Sequence, residues 1–213
     1  MSGHSVMFDL ISSTNQLKVL SFLAKFSDRE YHEREIARKT GVSYGSANSV
    51  LNELFAAGVL LRRRVGKMMF YSFNLGDPLS KPFKILVSVS MLRPLIKKLQ
   101  ERASQIVMYG SCARGDDGSA SDIDLVVVSE EKEKALGIIE SYKFRKGFEI
   151  IKIEPVILSP QELLKSEKTD REFLSLVREG IALWDEMKDE AGIQGMSESE
   201  QNHSLSAGEK TRR

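Results

Sequence analysis

The sequence predicts an α+β chain in two units: a small helical unit closed by a basic β-hairpin, then a unit built on a mixed sheet. Three observations carry this. Residues 1–75 hold three short amphipathic helical patterns followed by two strand-like runs around Gly66-Lys67. Residues 104–185 interleave short apolar runs with helical stretches. Between them, Leu75-Gly-Asp-Pro78 marks a boundary by its turn composition.

At 213 residues, 41% hydrophobic and 29% charged, the chain has room for two small globular domains. No apolar run approaches the length of a membrane span, and the N-terminus has no signal-peptide pattern. The single cysteine, Cys112, excludes an internal disulfide and fits a reducing cytoplasm. His4, His32 and His203 are too scattered for a zinc site. The net charge of +1 is uneven: residues 1–75 carry 10 Lys+Arg against 6 Asp+Glu, and the remainder 21 against 24. Different partners are expected for the two halves.

In the first unit, Leu17, Leu20, Phe22, Leu23 and Phe26 form a helical stripe with Ser12, Ser13 or Thr14 as its cap. Asp28 to Tyr31 breaks it, and Glu33 to Lys39 forms a second helix. After the turn at Gly41, Ser43 caps a third helix to about Ala57, hiding Ala47, Val50, Leu51, Leu54 and Phe55. Its other face presents Tyr44, Ser46, Asn48, Ser49 and Asn52. Val59 to Arg64 and Met68 to Phe73 are strands, with Arg62, Arg63, Arg64 and Lys67 near the hairpin tip. This order of elements resembles the winged helix-turn-helix regulators of bacteria and archaea over about 65 residues. The resemblance implies double-stranded DNA as partner. The third helix would read base edges in the major groove and the hairpin cations would contact phosphates. A protein-docking module with a charge-protected edge strand is the bland alternative.

Residues 76–103 read as a helical connector, with Pro82 and Pro94 starting or kinking it. Its apolar positions exceed what one small domain needs. It either packs on both units or forms a homodimer seam, and the sequence leaves both open.

The densest chemistry lies between residues 110 and 124. Gly110 and Ser111 follow the apolar run Ile106 to Tyr109; ten residues on, Asp122 and Asp124 lead into the buried strand Leu125 to Val128. Alternate strand residues share a face about 6–7 Å apart, so the two carboxylates point the same way beside a glycine turn. That equipment suits divalent metals and the phosphates they escort. Asp116 and Asp117 read as solvated loop residues, Cys112 as a small packing residue and Trp184 as core or domain edge. Downstream, Glu130 to Tyr142 is a helix candidate, Phe148 to Leu158 a strand, and Ser159-Pro160-Gln161-Glu162 caps a further helix. Phe173 to Arg178 is another helix, and Gly180 to Trp184 a last strand. From residue 186 to 213 the composition cannot bury a core, and a disordered tail is expected.

Gly110-Ser111, the spacing, and Ser121-Asp-Ile-Asp-Leu-Val resemble the signature of minimal nucleotidyltransferases in the DNA polymerase beta-like superfamily, over residues 104–185. The resemblance implies a mixed-sheet nucleotidyltransferase fold. It also implies transfer of a nucleoside monophosphate from an NTP, with ATP the expected donor, to a protein, RNA or small-molecule hydroxyl. Asp122 and Asp124 would be catalytic metal ligands for Mg²⁺ or Mn²⁺, with Gly110, Ser111 and Arg114 binding the nucleotide phosphates. Glu154 takes the place of the family's third acid, where minimal members usually have aspartate; Glu149 fits the spacing less well. Some such proteins act as antitoxins. A regulator whose nucleotidyltransferase domain senses a nucleotide without catalysis is the competing expectation.

Overall fold

The computed structural model describes residues 14–187. Ser12 and Ser13, and all but the first two residues of the expected tail, lie outside the described residues.

Thr14 caps α1 (Asn15–Lys25), its hydroxyl accepting the Leu17 amide at 3.3 Å. His32 caps α2 (Glu33–Thr40), which stops at Gly41 in the left-handed region (φ 70°). Ser43 caps α3 (Tyr44–Ala56). β2 (Leu60–Val65) and β3 (Met68–Phe73) pair as a hairpin through Gly66-Lys67. The two-residue β1 (Tyr31–His32), where only a break was expected, adds to β3, giving the order β1-β3-β2. Phe55, expected inside, is 36% exposed under the Arg62 guanidinium, 4.0 Å from its ring centre. The buried face of α3 is filled by Ala47, Val50 and Leu51.

α4 (Ser80–Leu99) carries Pro82 in its first turn, where no helical hydrogen bond is lost, and Pro94 inside. It packs against α1 and, farther along, against α6 (Lys132–Glu140). A four-stranded sheet follows, ordered β6-β5-β4-β7. Its strands are β4 (Gln105–Tyr109), β5 (Ile123–Val128), β6 (Ile153–Leu158) and β7 (Ile181–Asp185). β5 and β6 run parallel and the other pairs antiparallel, so the sheet is mixed. α5 (Gly110–Arg114), α7 (Pro160–Thr169) and α8 (Arg171–Arg178) complete the chain.

β6 begins at Ile153, five residues later than the sequence suggests. Gly147 (φ 91°) turns the chain and sends Phe148 into the core, its ring 6.0 Å from Phe26 and 6.4 Å from Phe22. Pro155 is tolerated because β6 is an edge strand.

The period of two along β5 sets the layers. Ile123, Leu125 and Val127 join a core that runs through both halves, from Phe22, Ile36 and Leu51 to Leu92, Leu95 and Ile106. Val126 and Val128 face the other way, onto a smaller cluster with Val107 and Val177, edged by Tyr109 and Phe173. Asp124 belongs to this second face by alternation. Among the described residues no helix is long and apolar enough to cross a membrane.

Candidate active site

The site grows from the junction of β4 and α5. Tyr109 ends the strand and Gly110 opens the helix at φ 70°. A Cβ on Gly110 would lie 2.2 Å from Asp124 Oδ2, an impossible contact. Glycine is therefore required twice, for the backbone angle and for the carboxylate packed against it. The register does the rest. Tyr109 is the Cα partner of Asp124, and Asp124 of Glu154. Glu154, Asp124 and Tyr109 thus stand in a row on one face of three neighbouring strands, spaced about 4.8 Å apart. Asp122 sits just ahead of β5.

The electrostatics are unfavourable. Burial pushes the Asp124 carboxyl above its ordinary range, the charge of Asp122 pushes it further, and Arg114 only partly offsets this. Burial also raises the Tyr109 phenol, followed by the charges of Asp124 and Glu154. Among the described residues no hydrogen bond or ion pair engages either the Asp122 or the Asp124 carboxylate. Nor do three Asp, Glu, His or Cys side chains there converge as metal ligands do. The available donors are the aspartate pair, with exposed Glu154 one strand away. That set fits Mg²⁺, which takes one or two carboxylates and completes its shell with water and phosphate oxygens.

Of the other expected residues, Ser111 is half-buried in α5, and Arg114 is exposed with Nε 3.4 Å from Asp116 Oδ2. Glu149 accepts the Gly147 amide at 2.8 Å, which occupies it in the turn.

Asp117 departs most from expectation. It is not a solvated loop residue. Its carboxylate is fully buried, 2.7 Å from Lys25 Nζ of α1 and 3.6 Å from Lys84 Nζ of α4. Lys84 also donates to the Asp117 backbone oxygen and to Ser27 Oγ. Asp116 is exposed but tied to Lys81 at 2.7 Å. Cys112 packs in the core as expected, with its sulfur 3.3 Å from Lys25 Nζ; burial holds its thiol above the usual range. Trp184 is half-buried and donates to the Ala103 carbonyl at 2.9 Å. Tyr109, Lys25 and Lys84 were missed by sequence reading. Tyr109 carried a signal in its place directly before Gly110; the lysines, embedded in helical stripes, carried none.

Residues 89–179 match the family model of the nucleotidyltransferase domain. The match starts within α4 and ends after α8, and it contains Gly110, Ser111, Arg114, Asp122, Asp124 and Glu154. Among curated proteins none matches the chain. Among the solved structures similar to it, NolR from Sinorhizobium fredii is 22% identical, over 41% of this chain and 81% of that one, with TM-score 0.30. A candidate nucleotidyltransferase from Sulfolobus solfataricus is 15% identical, over 54% and 96%, with TM-score 0.36. Rv0081 from M. tuberculosis is 21% identical, over 44% and 91%, with TM-score 0.32.

Ahead of the nucleotidyltransferase-type domain, the polar residues of α3 are cross-linked. Tyr44 Oη and Asn48 Nδ2 donate to Glu33 at 2.9 and 3.3 Å. Asn52 donates to Asn48 and accepts from Arg62. Ser46 is held by Ser43 in the first turn, and Ser49 donates to Glu53. Strand alternation separates Arg63 from its neighbours: Arg62 lies over Phe55 beside α3, whereas Arg63 is paired with Glu30; Arg64, nearer the turn, donates to the Gly66 carbonyl. Lys67 is exposed at the hairpin tip.

Proposed function

We propose that the chain transfers a nucleoside monophosphate from an NTP, with ATP as donor, to a hydroxyl on a protein, RNA or small-molecule acceptor. The observation that carries this reading is the Asp122–Asp124 pair within the matched segment: Asp124 is packed against Gly110, has its pKa raised by burial and then by the charge of Asp122, and forms no ion pair with any described cation. Two carboxylates held together at such a cost call for a cation from outside. Asp122 and Asp124 would hold Mg²⁺ or Mn²⁺, which supplies neutralisation of triphosphate charge when bound.

The chain's own groups divide the remaining work. Gly110 presents bare backbone beside the carboxylates, Ser111 offers its hydroxyl to the terminal phosphates, and Arg114 balances their charge. The acceptor oxygen attacks the α-phosphorus and pyrophosphate leaves. The proton of the acceptor hydroxyl passes to Glu154, one strand from Asp124 and open to solvent. Labelled ATP, Mg²⁺ or Mn²⁺ and candidate acceptors test this. Label transfer is expected from the wild type and not from Asp122→Ala/Asp124→Ala. Nucleotide binding without transfer under all conditions would defeat it in favour of sensing. That second reading draws on the exposure of Glu154 and the lack of a three-ligand cluster among the described residues.

The N-terminal half is, on this reading, a winged helix-turn-helix that binds double-stranded DNA in the cytoplasm. α3 serves as recognition helix and the β2–β3 hairpin as wing, supported by the basic charge of residues 1–75. Arg62, braced by Asn52 and Phe55, carries more of the affinity than Arg63, which Glu30 already neutralises. A titration at several salt concentrations tests it. Arg62→Ala is expected to lower the salt slope by about one and Arg63→Ala by less. An unchanged slope for Arg62→Ala together with Arg64→Ala and Lys67→Ala would sink the wing assignment.

A further inference from the structure

The loop from Gly115 to Ser121 joins the glycine turn to the aspartate pair, and groups from the N-terminal half and from α4 hold it at several points. Asp28, just past the end of α1, accepts both the amide and the hydroxyl of Ser119, each at 2.8 Å. Gly118 lies so close that a Cβ there would meet the Asp28 carboxylate at 3.3 Å. One turn earlier, Lys25 reaches 2.7 Å from Asp117 and 3.3 Å from Cys112, the residue after Ser111. Lys84 ties the Asp117 backbone to Ser27. Ser21 and Ser88 continue this seam between α1 and α4 as fully buried side chains without partners.

A seam of this kind differs from an apolar join. Buried charges gain little net stability after desolvation, but they tolerate only one alignment of the partners. Here the alignment is transmitted to a loop that Asp122 and Asp124 immediately follow. Burial opposes ionisation of Asp28, yet the two Ser119 bonds, together with Asp28's own backbone amide and the charge of Arg29, outweigh it and hold the carboxyl below its ordinary value. The bonds therefore favour the charged form.

We propose that Lys25 and Asp28 are positioning residues for the nucleotide site, so that the N-terminal half sets the placement of Asp122 and Asp124. Nucleotide at the site in turn tightens the α1 junction. This rests on the reading of Asp122 and Asp124 as the Mg²⁺-nucleotide site. By linkage, whatever moves the end of α1 changes nucleotide affinity, and nucleotide changes the exchange of α1 by the same free energy.

The test uses the full chain and Asp28→Ala, whose side chain lies at the surface, with Asp28→Asn as the conservative variant and Glu30→Gln as a control in the same segment. Amide hydrogen exchange and Mn²⁺·ATP affinity are read together. In Asp28→Ala, exchange across residues 116–122 is expected to speed up and Mn²⁺·ATP affinity to fall by about tenfold, with the melting transition nearly unchanged. Asp28→Asn, which keeps an acceptor for the Ser119 amide, should lie between, and Glu30→Gln should match the wild type. In the wild type, Mn²⁺·ATP should slow exchange at residues 24–29. Wild-type affinity in Asp28→Ala overturns the proposal while leaving the nucleotide site standing. A wild type that binds no Mn²⁺·ATP overturns the nucleotide reading itself, and exchange across 116–122 then still reports whether Asp28 holds the loop.

Discussion

Asp117 and the Asp122–Asp124 pair lie within eight residues, on one loop and the start of the strand it feeds, and their surroundings are opposite. Asp117 is wholly enclosed, with Lys25 and Lys84 around it. Asp122 and Asp124 are only half-buried, yet no described cation forms an ion pair with them, and the charge of Asp122 makes that of Asp124 costlier. Burial alone therefore does not mark a site. An acid whose charge is answered inside the fold is structural, and an acid left unanswered is available to a ligand.

The largest effect follows from the unanswered pair. Asp124→Asn keeps the shape and removes a charge. Nucleotidyl transfer should fall by about a thousandfold, the consequence of losing several kcal/mol of transition-state charge stabilisation. Stability in the absence of metal should hold or rise. A marked loss of melting temperature in Asp124→Asn would erase the distinction between the two regions.

Asp117→Ala tests the other side. It leaves two lysine ammonium groups facing each other in the interior, and breaking a buried pair typically costs about 3 kcal/mol or more. Denaturant unfolding should show that loss with an unchanged slope. If the variant were as stable as the wild type, the cluster would not be structural, and the contrast would collapse from the opposite direction.

How much of this was legible is itself explained by the contrast. Asp122, Asp124 and Gly110 stood out because strand alternation and a glycine turn are local, and both operate within a dozen residues. The helices came through for the same reason, with caps at Thr14, Ser43 and Ser159. Asp117 could not be read, because its partners lie 92 and 33 positions away and a polar residue in a glycine-containing loop defaults to solvent. Lys25 sits inside Phe22-Leu-Ala-Lys-Phe26, where nothing local says that its ammonium faces inward. The overlong strand at Phe148 fails similarly. An apolar run looks extended until Gly147 turns it, and Phe148 is apolar because it serves the Phe22–Phe26 core rather than the sheet.

Glu154 falls between the two regions, placed beside Asp124 by register yet exposed at the sheet edge. If it takes the acceptor proton, Glu154→Gln should lower the maximal rate by about a hundredfold with little change in nucleotide affinity. Glu154→Asp should recover part of that loss, since the shorter side chain keeps the base but not the reach. Equal rates for wild type and Glu154→Gln, with intact dependence on Asp122 and Asp124, would move the proton elsewhere, and Tyr109 in the same row is then the group to replace.

The smallest effect is on stability against pH, and it separates the regions by sign. Burial, then Asp122, raise the folded-state pKa of Asp124 above its ordinary value near 3.8, with Arg114 offsetting part. Below the unfolded pKa both states carry the proton and no penalty exists. As pH rises through the raised folded pKa, the native state must accept a second neighbouring charge, and stability is lost. Asp124→Asn has no such step. Its stability relative to wild type should therefore be nil in strong acid and positive at neutral pH, by less than about 1 kcal/mol because the carboxylate is only half-buried and solvent screens it. Millimolar Mg²⁺ should cancel the difference by stabilising the wild type alone, since a ligand that binds only the native state adds its binding free energy to folding. A variant that gains nothing at neutral pH, or that Mg²⁺ stabilises equally, would mean that Asp124 is answered within the fold after all, as Asp117 is.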